Sequence, residues 1–200
     1  MRPDLKMFDI FIDSYLATDV GISDNFLGKV LSGHLKDNLV ALFEARAMQT
    51  AGTGNQEAAI MDTLVRGDSI YWLDRKHNDR HENSFFDLMD AFIAYLNRTC
   101  YTGITGYEFH YTLYPTGSFY KKHLDQFQHN GSRAYSMIMY LNPDWILADG
   151  GELCIHHAGH QQRIAPMNGK SVFFKSADME HEVLPTTKPR MSITGWLKTH

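Results

Sequence analysis

From Ser23 the apolar positions Phe26, Leu27, Val30, Leu31, Leu35, Leu39, Leu42 and Phe43 recur at spacings of three and four, which predicts an amphipathic helix. Gly33 weakens its middle. A second helix is predicted over Ser84–Arg98, where Ser84 and Asp87 make a capping-box-like start and Phe85, Leu88, Met89, Phe92 and Leu96 form one stripe. Between the two, a short apolar run near residues 69–73 reads as a strand. Thr50–Gln56 is small, polar and glycine-containing and predicts a loop, and Asp74–Asn83 is charged with no apolar period and predicts a mobile surface loop. From Gly106 onward the chain changes character, to short runs rich in aromatic and β-branched residues: YEFHYTLYP, RAYSMIMYLN, GELCIHH, QRIAP, SVFFKS, HEVLP and MSITGWLK. These read as strands separated by Gly, Pro and Asn turn signals. With no helix-length segment between them, an antiparallel sandwich or jelly roll is favoured over a parallel sheet.

Composition narrows the partners. The net charge is −4 and the pI about 6.2, so the basic field that sequence-independent nucleic-acid binding uses is missing, and no nucleic-acid partner is expected. The 200 residues suit one domain, with residues 1–100 as mostly helical support and 106–198 as the β core. The longest apolar runs, such as Tyr135–Leu141, fall far short of the roughly 20 residues that span a bilayer, and MRPDLKMFDIF lacks the apolar stretch of a secretion signal. The expectation is a cytoplasmic protein without a membrane partner. Cys100 and Cys154 form neither a CxxC pair nor a dense disulfide pattern, so they read as reduced thiols.

Candidate chemistry centres on YKKHLDQF. His123 and Asp125 are spaced i, i+2, which on a strand puts both side chains on one face. His181, at the head of HEVLP, can add a third ligand if the intervening strands fold back. Two histidines and a carboxylate on one side of an octahedron leave the other positions open, as non-haem Fe(II) oxygenases require. The same ligand types also serve catalytic zinc, which keeps metal-assisted hydrolysis open. With 11 histidines an HxD arises readily by chance, so context decides. Shortly after His181, Arg190 opens RMSITGW. Its planar fork suits a carboxylate, and buried among apolar residues it needs an anionic partner, although a single arginine at a strand start is by itself more often a solvent-facing charge.

With these residues in view, the segment from Arg66 to Trp196 resembles the prolyl-hydroxylase branch of the Fe(II)/2-oxoglutarate-dependent oxygenases. It is more similar to the soluble oxygen-sensing type, and to its bacterial relatives that hydroxylate elongation factor Tu, than to the collagen type. The matching stretches are RGDSIYWLD, TLYPTGSFYKKHLDQF, RAYSMIMYLNPDW, DGGELCIH and HEVLPTTKPRMSITGW. The resemblance implies a mainly β, cupin-like double-stranded β-helix, or jelly roll, supported by N-terminal helices. It implies His123, Asp125 and His181 as iron ligands and Arg190 as partner of the 2-oxoglutarate C5 carboxylate, which Tyr140 also hydrogen-bonds. Tyr114 would lie near metal and cosubstrate, with Tyr120, Arg133 and Trp196 around a target proline. Without the resemblance, Tyr140 and Trp196 read equally as core aromatics and Arg133 as a loop charge. Two departures stand out. The stretch from Tyr114 to His123 is shorter by a single residue than in the oxygen-sensing enzymes, which bears on Tyr114. The sequence also ends soon after Arg190, without the C-terminal helix that helps some relatives hold substrate, so substrate recognition does not carry across.

The cofactors implied are Fe(II), with 2-oxoglutarate and O2 as cosubstrates and ascorbate as an optional reductant. The implied reaction is hydroxylation of a prolyl residue in a protein or peptide with release of succinate and CO2, elongation factor Tu being one candidate partner. A carboxylate at 125, where Ala or Gly would open a halide position, favours hydroxylation over halogenation. Tyr120 and Trp196 suit a pyrrolidine ring and Arg133 a peptide carbonyl, and Asp74–Asn83 falls where relatives carry a segment that closes on peptide. Two rival readings stand beside this one: a hydroxylase of a free amino acid or other small molecule, and a non-catalytic jelly-roll module that binds its ligand without turnover.

Overall fold

Alternation along the strands divides the protein into a helix-backed core and a cavity, because successive strand residues face opposite ways. The computed structural model describes residues 5–52, 64–126, 131–157 and 159–199. In chain order the elements are α1 (Leu5–Thr18), β1 (Val20–Ser23), α2 (Lys29–Glu44), β2 (Gln49–Thr50), β3 (Ser69–Trp72), a 3₁₀ turn (Arg75–His77) and α3 (Arg80–Cys100). There follow β4 (Gly106–Tyr114), β5 (Tyr120–His123), β6 (Arg133–Tyr140), a 3₁₀ turn (Leu147–Asp149), β7 (Leu153–His157), β8 (His160–Ile164), β9 (Ser171–Lys175), β10 (Glu180–Val183) and β11 (Arg190–Lys198). The larger sheet runs β1-β9-β6-β11-β4-β3-β2 and the smaller β5-β10-β7-β8, with antiparallel pairings. This is the expected jelly roll.

On one face of the larger sheet Phe109, Tyr111, Leu113, Met137, Met139, Ile193 and Leu197 pack against Phe8 and Phe11 of α1, Leu35 and Leu39 of α2, and Phe85, Met89 and Phe92 of α3. On the opposite face, Ile138, Tyr140, Val172 and Phe174 meet Leu153, Ile155 and Ile164 of the smaller sheet. The seam between the sheets is thus packed at one end, and the alternate residues Glu108, His110, Thr112, Tyr114, Arg190, Thr194 and Trp196 line a cavity at the other.

Several boundaries differ from the sequence reading. The helix expected from Ser23 starts only at Lys29, because Val20–Ser23 pairs with β9 and Gly28 takes a positive φ of 69° ahead of the first turn. Phe26 and Leu27 are buried before the helix begins, whereas Val30 and Phe43 of the expected stripe are exposed. Helix α1, unforeseen, buries Phe8, Phe11 and Ile12 on one face. The expected mobile loop Asp74–Asn83 is instead a 3₁₀ turn capped by Asp74 and the first turn of α3, whose N-cap is Asp79 rather than Ser84. Asp79 accepts hydrogen bonds from the backbone N–H groups of His81 and Glu82, and Arg75 pairs with Asp87 and Asp90, so the charges of this stretch serve capping and ion pairing. The loop expected at Thr50–Gln56 runs into residues 53–63, outside the described residues. No helix among the described residues is long and apolar enough to cross a membrane.

Candidate active site

His123 closes β5 and lies directly across from His181 on β10. Asp125 does not continue the strand, as the i, i+2 argument assumed; the chain leaves β5 after His123 and bends toward the larger sheet. There Ser136 of β6 donates its hydroxyl proton to Asp125 Oδ2 at 2.6 Å. The carboxylate therefore spans the two sheets, with Oδ1 3.4 Å from His123 Nε2 and Oδ2 3.6 Å from His181 Nε2. One donor atom from each residue lies within 4.8 Å of the other two, so the trio can hold a metal ion.

The backbone selects the tautomers. His123 Nδ1 lies 2.7 Å from the Lys121 carbonyl and His181 Nδ1 2.9 Å from that of Met179. Each Nδ1 therefore carries the proton and donates it, which turns the Nε2 lone pair toward Asp125. Burial lowers the pKa of His181, against the opposing pull of Asp125. Burial works against the Asp125 charge, but His181, His123 and the Ser136 hydroxyl hold its carboxyl far below the usual carboxylate range. Two imidazole nitrogens and a carboxylate are the donor set that Fe(II) accepts.

Deeper in the cavity, Arg190 is 1% exposed. Its Nε donates to the Gly151 carbonyl at 2.8 Å, and its guanidinium lies 5.1 Å from the centre of the Tyr114 ring and 5.0 Å from that of Tyr140. Arg190 Nη2 and the Tyr140 hydroxyl are both buried with no hydrogen-bond partner. A buried cation beside a buried phenol, each with a free donor, is a cradle for one carboxylate. Gly151 is needed here: its φ is +66°, and an added Cβ would press on the Arg190 and Thr186 side chains at 3.2 Å. Tyr114 is the register partner of Arg190, so the shorter stretch before His123 leaves Tyr114 beside the guanidinium. Burial raises the phenol pKa values of Tyr114 and Tyr140, the latter to about 12, against the pull of Arg190.

The mouth is aromatic and charged. Tyr120 stacks on His123 with ring centres 3.6 Å apart, and Arg66 covers the Tyr120 ring at 4.2 Å while holding Asp68 through two bonds of 2.6 and 2.7 Å. Arg133 is not a free loop charge: its guanidinium lies 3.4 Å from the centre of the Trp196 ring and pairs with Glu108 at 2.8 Å, which Lys198 also reaches at 3.2 Å. Burial opposes the Glu108 charge, but Arg133 and Lys198 hold its carboxyl below the ordinary value. Trp196 Nε1 is buried and unpartnered. The structure thus brings eight of the nine residues singled out in the sequence to the lining of one cavity, while the ninth, Tyr140, is fully buried in the core with its ring against Arg190. The cavity, about 590 Å³, is also lined by Arg66, Trp72, Glu108, His110 and Thr112, which the sequence reading missed. Glu108, His110 and Thr112 alternate in step with Tyr114 along β4, and polar residues at every second position of a buried strand were the available signal.

Residues 109–198, a stretch that includes both histidines, Asp125 and Arg190, match the family model of the 2OG-Fe(II) oxygenase superfamily. This stretch is a 2OG-Fe(II) oxygenase domain, and the protein is a 2-oxoglutarate-dependent Fe(II) dioxygenase. Among solved structures the chain is similar to a prolyl-4-hydroxylase of Pseudomonas putida, at 29% identity over 97% of this chain and 100% of that one, with a TM-score of 0.87. It is also similar in fold to a prolyl hydroxylase of Trichoplax adhaerens, solved with a peptide fragment of the hypoxia inducible factor oxygen degradation domain, at 23% identity, 96% and 89% coverage and a TM-score of 0.85. A viral collagen prolyl hydroxylase of Paramecium Bursaria Chlorella virus-1 shares the fold at 16% identity, 92% and 97% coverage and a TM-score of 0.64. The matched oxygenase domain is prolyl-hydroxylase-like.

Proposed function

We propose that this protein hydroxylates a prolyl residue of a protein or peptide, with His123, Asp125 and His181 as the ligands of Fe(II) and Arg190 and Tyr140 as the donors that take the C5 carboxylate of 2-oxoglutarate. The observation that carries the reading is the pair of unpartnered buried donors, Arg190 Nη2 on the lining of the cavity that holds the three converging ligand atoms and the Tyr140 hydroxyl of the ring packed against Arg190. Bound iron and 2-oxoglutarate would supply the activation of O2, the oxidant, with 2-oxoglutarate oxidised to succinate and CO2. The protein's residues orient and exclude. Asp125, held ionised by His181, His123 and the Ser136 hydroxyl, would offer the iron a charged ligand, and the Nδ1 bonds of both histidines fix their rings. Ile138, Leu153 and Val183 give the cavity apolar walls that keep water from the reacting centre.

At the mouth, Tyr120 and Trp196 put aromatic surface beside the cavity where a pyrrolidine ring could pack, and Trp196 Nε1 offers an N–H donor to a peptide carbonyl beside Arg133. The similarity to the Pseudomonas putida prolyl-4-hydroxylase supports the choice of proline, and a protein of the elongation factor Tu type is one candidate partner. The test is mass spectrometry of cell-extract proteins incubated with Fe(II), 2-oxoglutarate and either the wild-type protein or Asp125→Ala. The expected result is a proline that gains one oxygen only with the wild type. Succinate formation without any modified protein would exclude the protein-substrate reading in favour of a small molecule.

A further inference from the structure

The outward face of the smaller sheet carries a second set of metal donors, back to back with the first. Cys154 and His156 are two apart on β7 and share that face, while Leu153 and Ile155 turn inward to the core. Glu182 of β10 is the register partner of Cys154, one residue from His181, which points the other way into the cavity. One donor atom from each of Cys154, His156 and Glu182 lies within 4.8 Å of the other two, and His156 Nε2 is already 2.9 Å from Glu182 Oε1. Cys154 is fully buried, whereas the His156 and Glu182 side chains are each 27% exposed, so the sulfur forms the floor of the group and the other two donors flank a path to solvent. The neighbouring Glu180 is occupied by Lys122 at 3.2 Å and stands outside the trio; exposed Arg163 of β8 is the other register partner of Cys154.

We propose that Cys154, His156 and Glu182 form a second site, which binds a borderline-soft divalent transition-metal ion, zinc above all, independently of the His123–Asp125–His181 centre. A thiolate, an imidazole and a carboxylate suit zinc, whereas magnesium and calcium take oxygen ligands. Zinc bonds of about 2.0–2.3 Å need the three donors, which already lie within 4.8 Å of one another, to draw closer around the ion. Three protein ligands leave one tetrahedral position to water. Binding exchanges the Cys154 thiol proton, lost to solvent, for the metal bond. The ion would cross-link β7 to β10, the strand that carries His181.

Cobalt(II) is the probe, because a thiolate ligand gives it an intense near-ultraviolet charge-transfer band that histidine and carboxylate ligands do not. Adding cobalt to the protein should produce this band, and Cys100→Ser should retain it. Cys154→Ser should abolish it. His156→Gln and Glu182→Gln, which leave the buried thiol in place and sit where folding tolerates change, should each weaken the cobalt affinity read from the band by at least about tenfold. Absence of the band in the wild type, its persistence in Cys154→Ser, its loss in Cys100→Ser, or an unchanged affinity in either partly exposed variant would overturn the proposal.

Discussion

Arg190 keeps a guanidinium in the protein interior with one nitrogen unbonded, and a buried charge of that kind is costly until an anion reaches it. Its planar fork matters as much as its charge. Arg190→Lys should therefore raise the apparent KM for 2-oxoglutarate by at least about tenfold, about 1.4 kcal/mol, while Fe(II) affinity, read by titration, stays within about twofold. Equal loss of both would make Arg190 a structural residue. His110, on the cavity wall, is a second case in which burial decides. Burial lowers its pKa from 6.5 to about 4. The unfolded chain takes up a proton below 6.5 that the folded chain refuses until about 4, so stability present above 6.5 is lost as pH falls across that window, by about 3 kcal/mol at 1.36 kcal/mol per unit. Urea unfolding at a series of pH values should show this loss, and His110→Gln should remove that part of it. The ligand residues were legible because a short spacing and a later histidine carry them. Arg66 was not, and Glu108 and His110 showed only an alternation along β4, since Glu108 finds Arg133 and Lys198 on β6 and β11 and the His110 ring packs against Trp72 and Trp196 on β3 and β11.

At the scale of elements, α2 contains a glycine for which the packing gives no reason. A Cβ added at Gly33 meets nothing within 4 Å, and its backbone is not in the left-handed region. Gly33→Ala should stabilise the protein by about 0.5–1 kcal/mol through helix propensity and a less free unfolded chain. Chemical denaturation measures this, and a loss of stability would mean that an unrecognised contact needs the bare backbone. The β half was readable as strands because its aromatic and β-branched residues sit between turn signals. The helical half was read less well. Leu5, Ile10 and Leu16 lie on the exposed side of α1 and blur the stripe of Phe8, Phe11 and Ile12. In Asp74–Asn83 the acidic residues looked like solvated charges, yet Asp79 followed three residues later by Glu82 is a helix start written in the same letters. What no local pattern carried was the order of the strands, in which β11 is flanked by β4 and β6 from distant parts of the chain.

At the scale of the whole molecule, the candidate iron centre is a joint between two sheets. His123 and His181 belong to the smaller sheet, while Asp125 is tied to the larger one through Ser136. Ser136→Ala should leave all three ligands in place but release that tie, weakening Fe(II) binding by about tenfold to a hundredfold with little change in circular dichroism. Unchanged affinity would show that the chain bend after His123 alone positions the carboxylate. The central claim, that this cavity couples 2-oxoglutarate oxidation to hydroxylation through the His123–Asp125–His181 centre, is tested most directly by measuring succinate formed from 2-oxoglutarate under air. The account predicts that the purified protein forms succinate only when Fe(II) is added, forms it faster when a proline-containing substrate is present, and forms none as His181→Ala. Succinate formation undiminished in His181→Ala, or absent from the wild-type protein supplied with Fe(II), 2-oxoglutarate and O2, would contradict it.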